Sequence, residues 1–147
     1  MLIQLSVLAC LEEDTGTSTY DLFDMIAGSS SGGLITCLIL GRRISAGQII
    51  QMALQEKLLE KMMVAHWMHR LLNKLQIRPK YTGKQKSSTL QAELANLRLS
   101  SLSKRILIPC FNLNQDRLEI FTNENSFDFL LSEIADACTA APSYYPP

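Results

Sequence analysis

The sequence predicts an α/β fold, a layered domain in which helices surround a mixed, partly parallel sheet. Apolar runs typical of strands alternate along the chain with segments whose apolar residues recur at the helical period. A Gly-x-Ser-x-Gly turn also joins one strand-like run directly to a helix-like run. The 147 residues are 47% hydrophobic and 19% charged, which is typical of a compact chain. We therefore expect one domain over residues 1–147.

The first part of the chain predicts a helix, a strand and a second helix. Residues 2–13 form a short apolar helix, which the turn residues Thr15-Gly16-Thr17 end. Residues 23–28 are predicted to form a buried strand, because this short run is largely apolar. A helix follows over about 30–40, and Gly41 with Arg42 supplies its stop.

Three further helices are predicted in the middle of the chain. The first begins after Ser45, and its apolar face is formed by Ile49, Ile50, Ala53, Leu54 and Leu58. The second begins at His66, and an apolar stripe lies opposite a basic side. A polar, Lys-rich connection over 79–88 leads to the third helix, which Ser88 or Thr89 caps and which extends through Leu97.

A hairpin and a final helix complete the predicted fold. Residues 106–113 and 118–122 read as strands, because both are rich in apolar and β-branched residues. The turn residues Asn114-Gln115-Asp116 join them. The last helix covers about 129–140, and Pro142 closes it because proline cannot continue a helix.

The Gly-x-Ser-x-Gly turn makes Ser30 the candidate nucleophile. A strand that turns sharply into a helix strains the residue at the corner, and the small residues Gly28, Gly32 and Gly33 leave room for the chain to fold back. The corner hydroxyl then points outward. Ser30 would also lie at the positive end of the helix dipole, where the Ser31 backbone N–H could donate to an oxyanion.

Two other interpretations of this turn are weaker. Ser/Gly clusters also mark flexible loops, but apolar residues on both sides of this one argue against a surface linker. A phosphate-binding P-loop needs a Lys directly after its last glycine, whereas Leu34 follows Gly33 here.

The cysteines and histidines predict neither a metal site nor a cofactor. The four cysteines are widely spaced, without a Cys-x-x-Cys pair, and free thiols are expected at Cys10, Cys37, Cys110 and Cys138. His66 and His69 lie one helical turn apart, but no acidic or Cys partner accompanies them at ligand spacing. We interpret them as part of a solvated basic face.

The whole chain has a net charge of zero, but its basic and acidic residues are unevenly distributed. Residues 57–86 contain eight basic residues against Glu60 alone. This excess suits contact with an anionic membrane through Lys57, Lys61, Arg70 and Lys74, although solvated surface charge is the simpler interpretation. No nucleic-acid partner is expected, because few aromatic residues interleave the basic ones.

The sequence carries no obvious signal for export or membrane insertion. The apolar start of the chain lacks Lys and Arg and is followed by Glu12 and Glu13, unlike a secretory signal. The longest later apolar stretch, 34–41, is too short to span a bilayer. We expect a cytoplasmic protein, with peripheral membrane contact as an option.

Three motifs, in this order, resemble the patatin-like phospholipase family. They are the elbow Phe23-Asp24-Met25-Ile26-Ala27-Gly28-Ser29-Ser30-Ser31-Gly32-Gly33, the stretch Pro79-Lys80-Tyr81, and the segment Ala137-Cys138-Thr139-Ala140-Ala141-Pro142-Ser143-Tyr144-Tyr145-Pro146-Pro147. The resemblance spans nearly the whole chain and is weakest over 44–78. It implies hydrolysis of phospholipid or other acyl-lipid esters by a Ser/Asp dyad, with Ser30 as the nucleophile.

The chain departs from the family pattern in two places. The glycine-rich loop that builds the rest of the oxyanion hole would precede Met1, and the catalytic Asp would follow Pro147, so the first strand and the C-terminal part of the domain would be missing. Asp24 and Asp136 match ordinary family positions. We therefore expect a partial domain that is a poor esterase, or none, by itself.

Two alternatives stay open at this point. The chain could be a non-catalytic lipid-binding or interaction module that keeps the patatin-like shape. It could also be a conventional α/β-hydrolase that uses His66 or His69 as the base.

Overall fold

The computed structural model describes residues 1–63, 81, 83–124, 127–142 and 144–145. Within these residues the chain forms seven α-helices, one short 3₁₀ helix and three strands. In chain order they are α1 (Leu2–Thr15), α2 (Thr19–Leu22), β1 (Met25–Ala27), α3 (Ser31–Arg42), α4 (Ala46–Leu54), α5 (Leu58–Met62), α6 (Lys84–Leu94), the 3₁₀ helix (Leu99–Ser101), β2 (Arg105–Asn112), β3 (Arg117–Phe121) and α7 (Leu131–Cys138).

The sheet has the order β1-β2-β3 and is mixed. β1 runs parallel to β2, with Ile26 opposite Ile106, and β2 runs antiparallel to β3, with Cys110 opposite Glu119. The α/β class with a partly parallel sheet, predicted from the sequence, is confirmed. The parallel pair places Ala27, the last residue of β1, opposite Leu107, the third residue of β2, and the following turn begins there.

α3 is the central helix of the core. Every residue from Gly33 to Leu40 is buried, and Leu38 and Ile39 are fully inaccessible to solvent. α3 packs against β2, where Gly33 lies next to Ile108, and α7 also packs against it. A helix buried on all sides reads as apolar throughout, so its sequence shows no distinct polar face.

The strand before the elbow is shorter and more exposed than predicted. β1 covers Met25–Ala27 and not 23–28, and Phe23 and Met25 are 42% and 50% exposed. Within the described residues β1 is an edge strand paired only with β2, and Ile26 is its one residue that packs against the core. The expectation of a buried strand was wrong, because Phe23 and Met25 line an open cleft and do not enter the core.

Gly41 does not end α3. The helix continues to Arg42, and Arg43 leaves it in the left-handed conformation with φ 53°. A Cβ on Gly41 would lie 2.7 Å from Leu131 Cδ1, so this glycine allows α3 and α7 to approach closely. The prediction that Gly41 ends the helix was wrong, because this glycine serves the packing of two helices.

α4 begins after Ser45, as predicted. The Ser45 hydroxyl accepts from the Gln48 N–H at 3.2 Å, and the Gln48 side chain accepts from the Ser45 N–H at 2.9 Å. These two hydrogen bonds form a capping box. The predicted apolar face extends too far, because the chain turns at Lys57 with φ 54°, leaving Leu54 59% exposed and placing Leu58 in α5.

The helix predicted to start at Ser88 or Thr89 begins earlier. Gly83 precedes α6, so both hydroxyl residues lie inside the helix and neither caps it. The predicted helix from His66, including Arg70 and Lys74, lies outside the described residues, as do 79, 80 and 82 of the predicted 79–88 connection. Residues 84–88 belong to α6, so the expectation of a connection was wrong there. The last helix is α7, which is shorter at both ends than predicted.

No described helix is both long enough and apolar enough to cross a bilayer alone. α3 and α4 reach the required length and hydropathy only as a pair, and they are bent by 118° at their junction.

Candidate active site

The turn between β1 and α3 has the geometry of a nucleophile elbow. The Gly28 N–H donates to the Leu107 carbonyl at 3.1 Å, which extends the parallel pairing one residue past β1. Ser30 then adopts φ 53° and ψ −123°, and α3 begins at the next residue. This backbone conformation is strained for any residue with a Cβ, and strain of about 1–3 kcal/mol is typical of such positions. Ser30 is exposed at the corner.

The steric requirement for glycine falls on Gly28 and Gly33. A Cβ on Gly28 would lie 2.3 Å from the Gly32 carbonyl oxygen, and a Cβ on Gly33 would lie 2.7 Å from Cys138 Sγ. Gly32 differs, because its nearest neighbour would be Gln4 Nε2 at an ordinary 3.7 Å. The carbonyl group of Gly32 is therefore what Gly28 packs against, and a side chain at position 32 would have room. The sequence interpretation, that Gly32 must itself lack a side chain, was wrong.

Hydrogen bonds hold the elbow backbone in place. The Gly32 N–H donates to the Ser29 carbonyl at 2.9 Å, and the Leu34 N–H donates to the Ser30 carbonyl at 3.2 Å. The Thr36 hydroxyl donates to the Gly32 carbonyl at 2.9 Å. The corner is thus fixed by its own first helical turn.

The Ser30 hydroxyl itself has no hydrogen bond to any described residue, in contrast to Ser31, whose hydroxyl donates to Gln4 Oε1 at 3.3 Å. The Ser31 N–H likewise has no acceptor among the described residues. An N–H at the start of a helix is a natural donor to an anion, because the helix dipole places positive charge there. The arrangement can therefore stabilise an oxyanion formed next to Ser30.

A mostly apolar cleft of about 510 Å³ borders the elbow. Residues of α1, β1 and α3 line it, including Val7, Met25, Ile26, Gly32 and Ile35. An apolar ligand could reach the turn from this side.

No described carboxylate or imidazole contacts the Ser30 hydroxyl. Asp136 is instead paired with Lys86 at 2.7 Å, and Asp24 lies before β1, where its carbonyl accepts from the Arg105 N–H at 3.1 Å. His66 and His69 lie outside the described residues. The described part of the chain also contains no group of three or more His, Cys, Asp or Glu residues placed to hold a metal ion.

Comparison with known proteins identifies the family to which this chain belongs. A family model described as patatin-like phospholipase matches residues 1–147. The chain belongs to the patatin-like phospholipase family. Patatin-like protein 1 of Arabidopsis thaliana is 31% identical over 140 residues, which cover 86% of this chain and 34% of that protein. Patatin-03 of Solanum tuberosum is 29% identical over 138 residues, with the same coverage of 86% and 34%.

Another similar protein is named as a probable inactive patatin. Probable inactive patatin-3-Kuras 1 of Solanum tuberosum is 27% identical over 148 residues, which cover 93% of this chain and 37% of that protein. The chain spans about a third of the length of the curated relatives it matches.

One contact of this patatin-like elbow was not foreseen. Cys138, the last residue of α7, rests on Gly33, and its thiol donates to the Ser30 carbonyl at 3.6 Å. Burial raises the pKa of Cys138 to about 12, so the thiol stays protonated and can act as a donor at neutral pH. Cys138 belongs to one of the three motifs that carry the family resemblance, so the sequence marked it as a residue of interest. Its separation of 108 residues from Ser30 gave no indication that the two are in contact.

A second polar cluster of this patatin-like chain lies between α6 and α7. Lys86 is only 2% exposed, and its ammonium group contacts Asp136 Oδ1 at 2.7 Å. The Ser87 hydroxyl donates to the other carboxylate oxygen of Asp136 at 2.5 Å. This is a Ser–Asp contact beside a cavity of about 690 Å³. We assign it a structural role, since the Asp136 carboxylate is held by the Lys86 ammonium group and Ser87 lies in a regular helix.

Proposed function

We propose that this chain carries the nucleophile of a lipid acyl-ester hydrolase. The observation that carries the proposal is the strained, exposed Ser30 at the start of a buried helix, with its hydroxyl unpaired among the described residues. The apolar cleft beside the elbow suits an acyl chain. Membership of the patatin-like phospholipase family supports the same chemistry.

In this mechanism Ser30 Oγ attacks the ester carbonyl carbon and gives its proton to a base. The carbonyl oxygen becomes an oxyanion, to which the Ser31 N–H donates. The alcohol leaves with a proton, and water then hydrolyses the acyl-serine. We propose that the base is the carboxylate of a Ser/Asp dyad. Neither Asp24 nor Asp136 is that residue, because Asp136 is held by Lys86 and Asp24 precedes β1.

The proposal includes low activity for the 147-residue chain alone. Loss of a single oxyanion donor costs about 10² to 10³ in turnover, and loss of the base costs more. Hydrolysis of p-nitrophenyl butyrate by the purified chain should stay near background and should not change in Ser30→Ala. Clear hydrolysis by the chain that disappears in Ser30→Ala would refute this part of the proposal while supporting the nucleophile.

A chimera tests the nucleophile. This chain would replace the region of Patatin-03 to which it is similar, so that the remainder of Patatin-03 flanks it where the family pattern has the glycine-rich loop and the catalytic Asp. We expect hydrolysis that falls about 10⁴-fold or more in Ser30→Ala. Ser29→Ala is the matched control and should keep the activity, because Ser29 is not at the strained corner. A folded chimera that is equally active with Ser30→Ala would contradict the assignment.

A non-catalytic lipid-binding module is the second candidate. It is favoured by the lack of any described base at Ser30 and by the similarity to a protein named as a probable inactive patatin. The two candidates differ in the chimera. A folded but inactive chimera, together with vesicle binding by the chain, would favour the binding module.

We further propose peripheral contact with anionic lipid. Lys57 and Lys61 are exposed in and beside α5, although Lys57 is partly neutralised by Glu60 at 3.4 Å. Each basic residue near such a surface contributes about 1 kcal/mol. Co-sedimentation with phosphatidylserine vesicles should weaken in high salt, and binding that is insensitive to salt would remove this proposal.

A further inference from the structure

The elbow is supported from outside by the C-terminal turn of α7. Cys138 Sγ fills the space above Gly33, where a Cβ would lie only 2.7 Å from the sulfur. The same thiol donates to the Ser30 carbonyl at 3.6 Å, an oxygen that also accepts the first helical hydrogen bond of α3. A displacement of Cys138 would therefore change contacts of Ser30 and Gly33 directly.

α7 is in turn held at this end by a buried lysine. The Lys86 ammonium group donates to the main-chain carbonyl of Asp136 at 2.9 Å and contacts the Asp136 carboxylate at 2.7 Å. It lies 4.2 Å from the centre of the Tyr145 ring. A cation at a helix C-terminus is favourable, because the last carbonyls lack helical partners and carry partial negative charge.

These contacts form a continuous path from α6 to the elbow. Lys86 fixes the final turn of α7, that turn presents Cys138, and Cys138 contacts Gly33 and the Ser30 carbonyl. We propose that Lys86 and Cys138 are positioning residues for Ser30, holding the elbow serine against the first N–H groups of α3. This inference rests on the proposed role of Ser30 as the nucleophile.

The reactivity of a thiol introduced at position 30 depends on how that residue is held, and it can be measured without a catalytic base. In a Cys10→Ser background, Ser30→Cys would introduce a thiol whose pKa is lowered by the start of α3. Its alkylation by iodoacetamide, followed as a function of pH, measures that pKa and the reaction rate. Cys10 is removed because it is exposed and would react as well.

We expect Cys138→Ala and Lys86→Met each to slow alkylation at neutral pH, by up to about tenfold, and to move the pH profile upward. Cys138→Ser keeps a donor and should restore most of the rate. Lys84→Met is the control, because Lys84 is exposed on the same helix and lines the same cavity. Equal rates and pH profiles in all folded variants would overturn the proposal.

Hydrogen exchange gives a second readout in the natural Ser30 protein. In Cys138→Ala and Lys86→Met the hydrogen-bonded amides of Gly32 and Leu34 should exchange faster, while those of α4 keep their wild-type rates. Unchanged exchange at Gly32 and Leu34 would overturn the positioning role even if Lys86→Met proves too unstable to study, because Cys138→Ala then decides. Neither measurement depends on hydrolysis, so failure of the proposed function would appear separately, in the chimera.

Discussion

At the scale of single residues, the site is determined by backbone sterics at four neighbouring positions. Ser30 occupies a conformation that disfavours side chains, and Gly28 and Gly33 remove the atoms that would block it. The spacing of these residues is local, so the sequence alone could indicate the elbow and its candidate nucleophile. The distinction between Gly32 and Gly33 required the positions of Gln4 and Cys138, which are distant in sequence.

Two glycine substitutions test this steric account. Gly28→Ala should destabilise the protein by about 2–3 kcal/mol, because its Cβ would meet the Gly32 carbonyl oxygen at 2.3 Å. Gly32→Ala, the matched control, should be neutral or slightly stabilising, since it has space and alanine favours a helix. Urea unfolding of both variants gives the comparison. Equal losses of stability would show that the packing at Gly28 is not specific.

At the scale of elements, the buried ion pair between α6 and α7 is the feature that the sequence concealed. Lys86 belongs to a Lys-rich stretch that resembles a solvated surface, and its partner Asp136 lies 50 residues away. The parallel pairing of Ile26 with Ile106 is equally non-local. Periodicity predicted that most of these helices and strands exist, but it could not show which of them pair or where a charge becomes buried.

Removal of Asp136 and removal of Lys86 should lower the free energy of unfolding by different amounts. Asp136→Asn leaves the Lys86 charge, at 2% side-chain exposure, without its carboxylate and should cost about 3–5 kcal/mol. Lys86→Met should cost less, about 1–2 kcal/mol, because the Asp136 side chain is 31% exposed and can be hydrated.

Chemical unfolding of the two single variants and the double variant measures this asymmetry. The double variant should be more stable than the sum of the two losses implies, because neither charge is then left alone. Additive losses, or a greater cost for Lys86→Met, would contradict the described burial.

At the scale of the whole molecule, the partly and fully buried thiols couple folding to pH. Burial raises the pKa of Cys110 to about 11 and of Cys138 to about 12, and it raises the pKa of Cys37 well above its ordinary value of 9.0. In the unfolded chain these thiols ionise near their ordinary values. Between pH 9 and 11 the unfolded state therefore holds fewer protons than the native state.

The free energy of unfolding should accordingly fall as the pH rises above about 9. Each thiol contributes at most about 1.4 kcal/mol per pH unit to this slope. Cys110→Ser and Cys138→Ser should each flatten the slope, whereas Cys10→Ser, at an exposed site, should leave it unchanged. Urea unfolding at a series of pH values tests this, and a slope identical in all variants would exclude the thiols as its source.

The central claim is that the fold holds Ser30 in a strained conformation at an exposed corner. The most direct test is the stability of Ser30→Gly compared with Ser30→Ala in urea unfolding. Glycine tolerates φ 53° and ψ −123°, so Ser30→Gly should raise the free energy of unfolding by about 1 kcal/mol, while Ser30→Ala should leave it nearly unchanged. A Ser30→Gly variant no more stable than Ser30→Ala would show that the corner stores no strain, and it would contradict the nucleophile elbow.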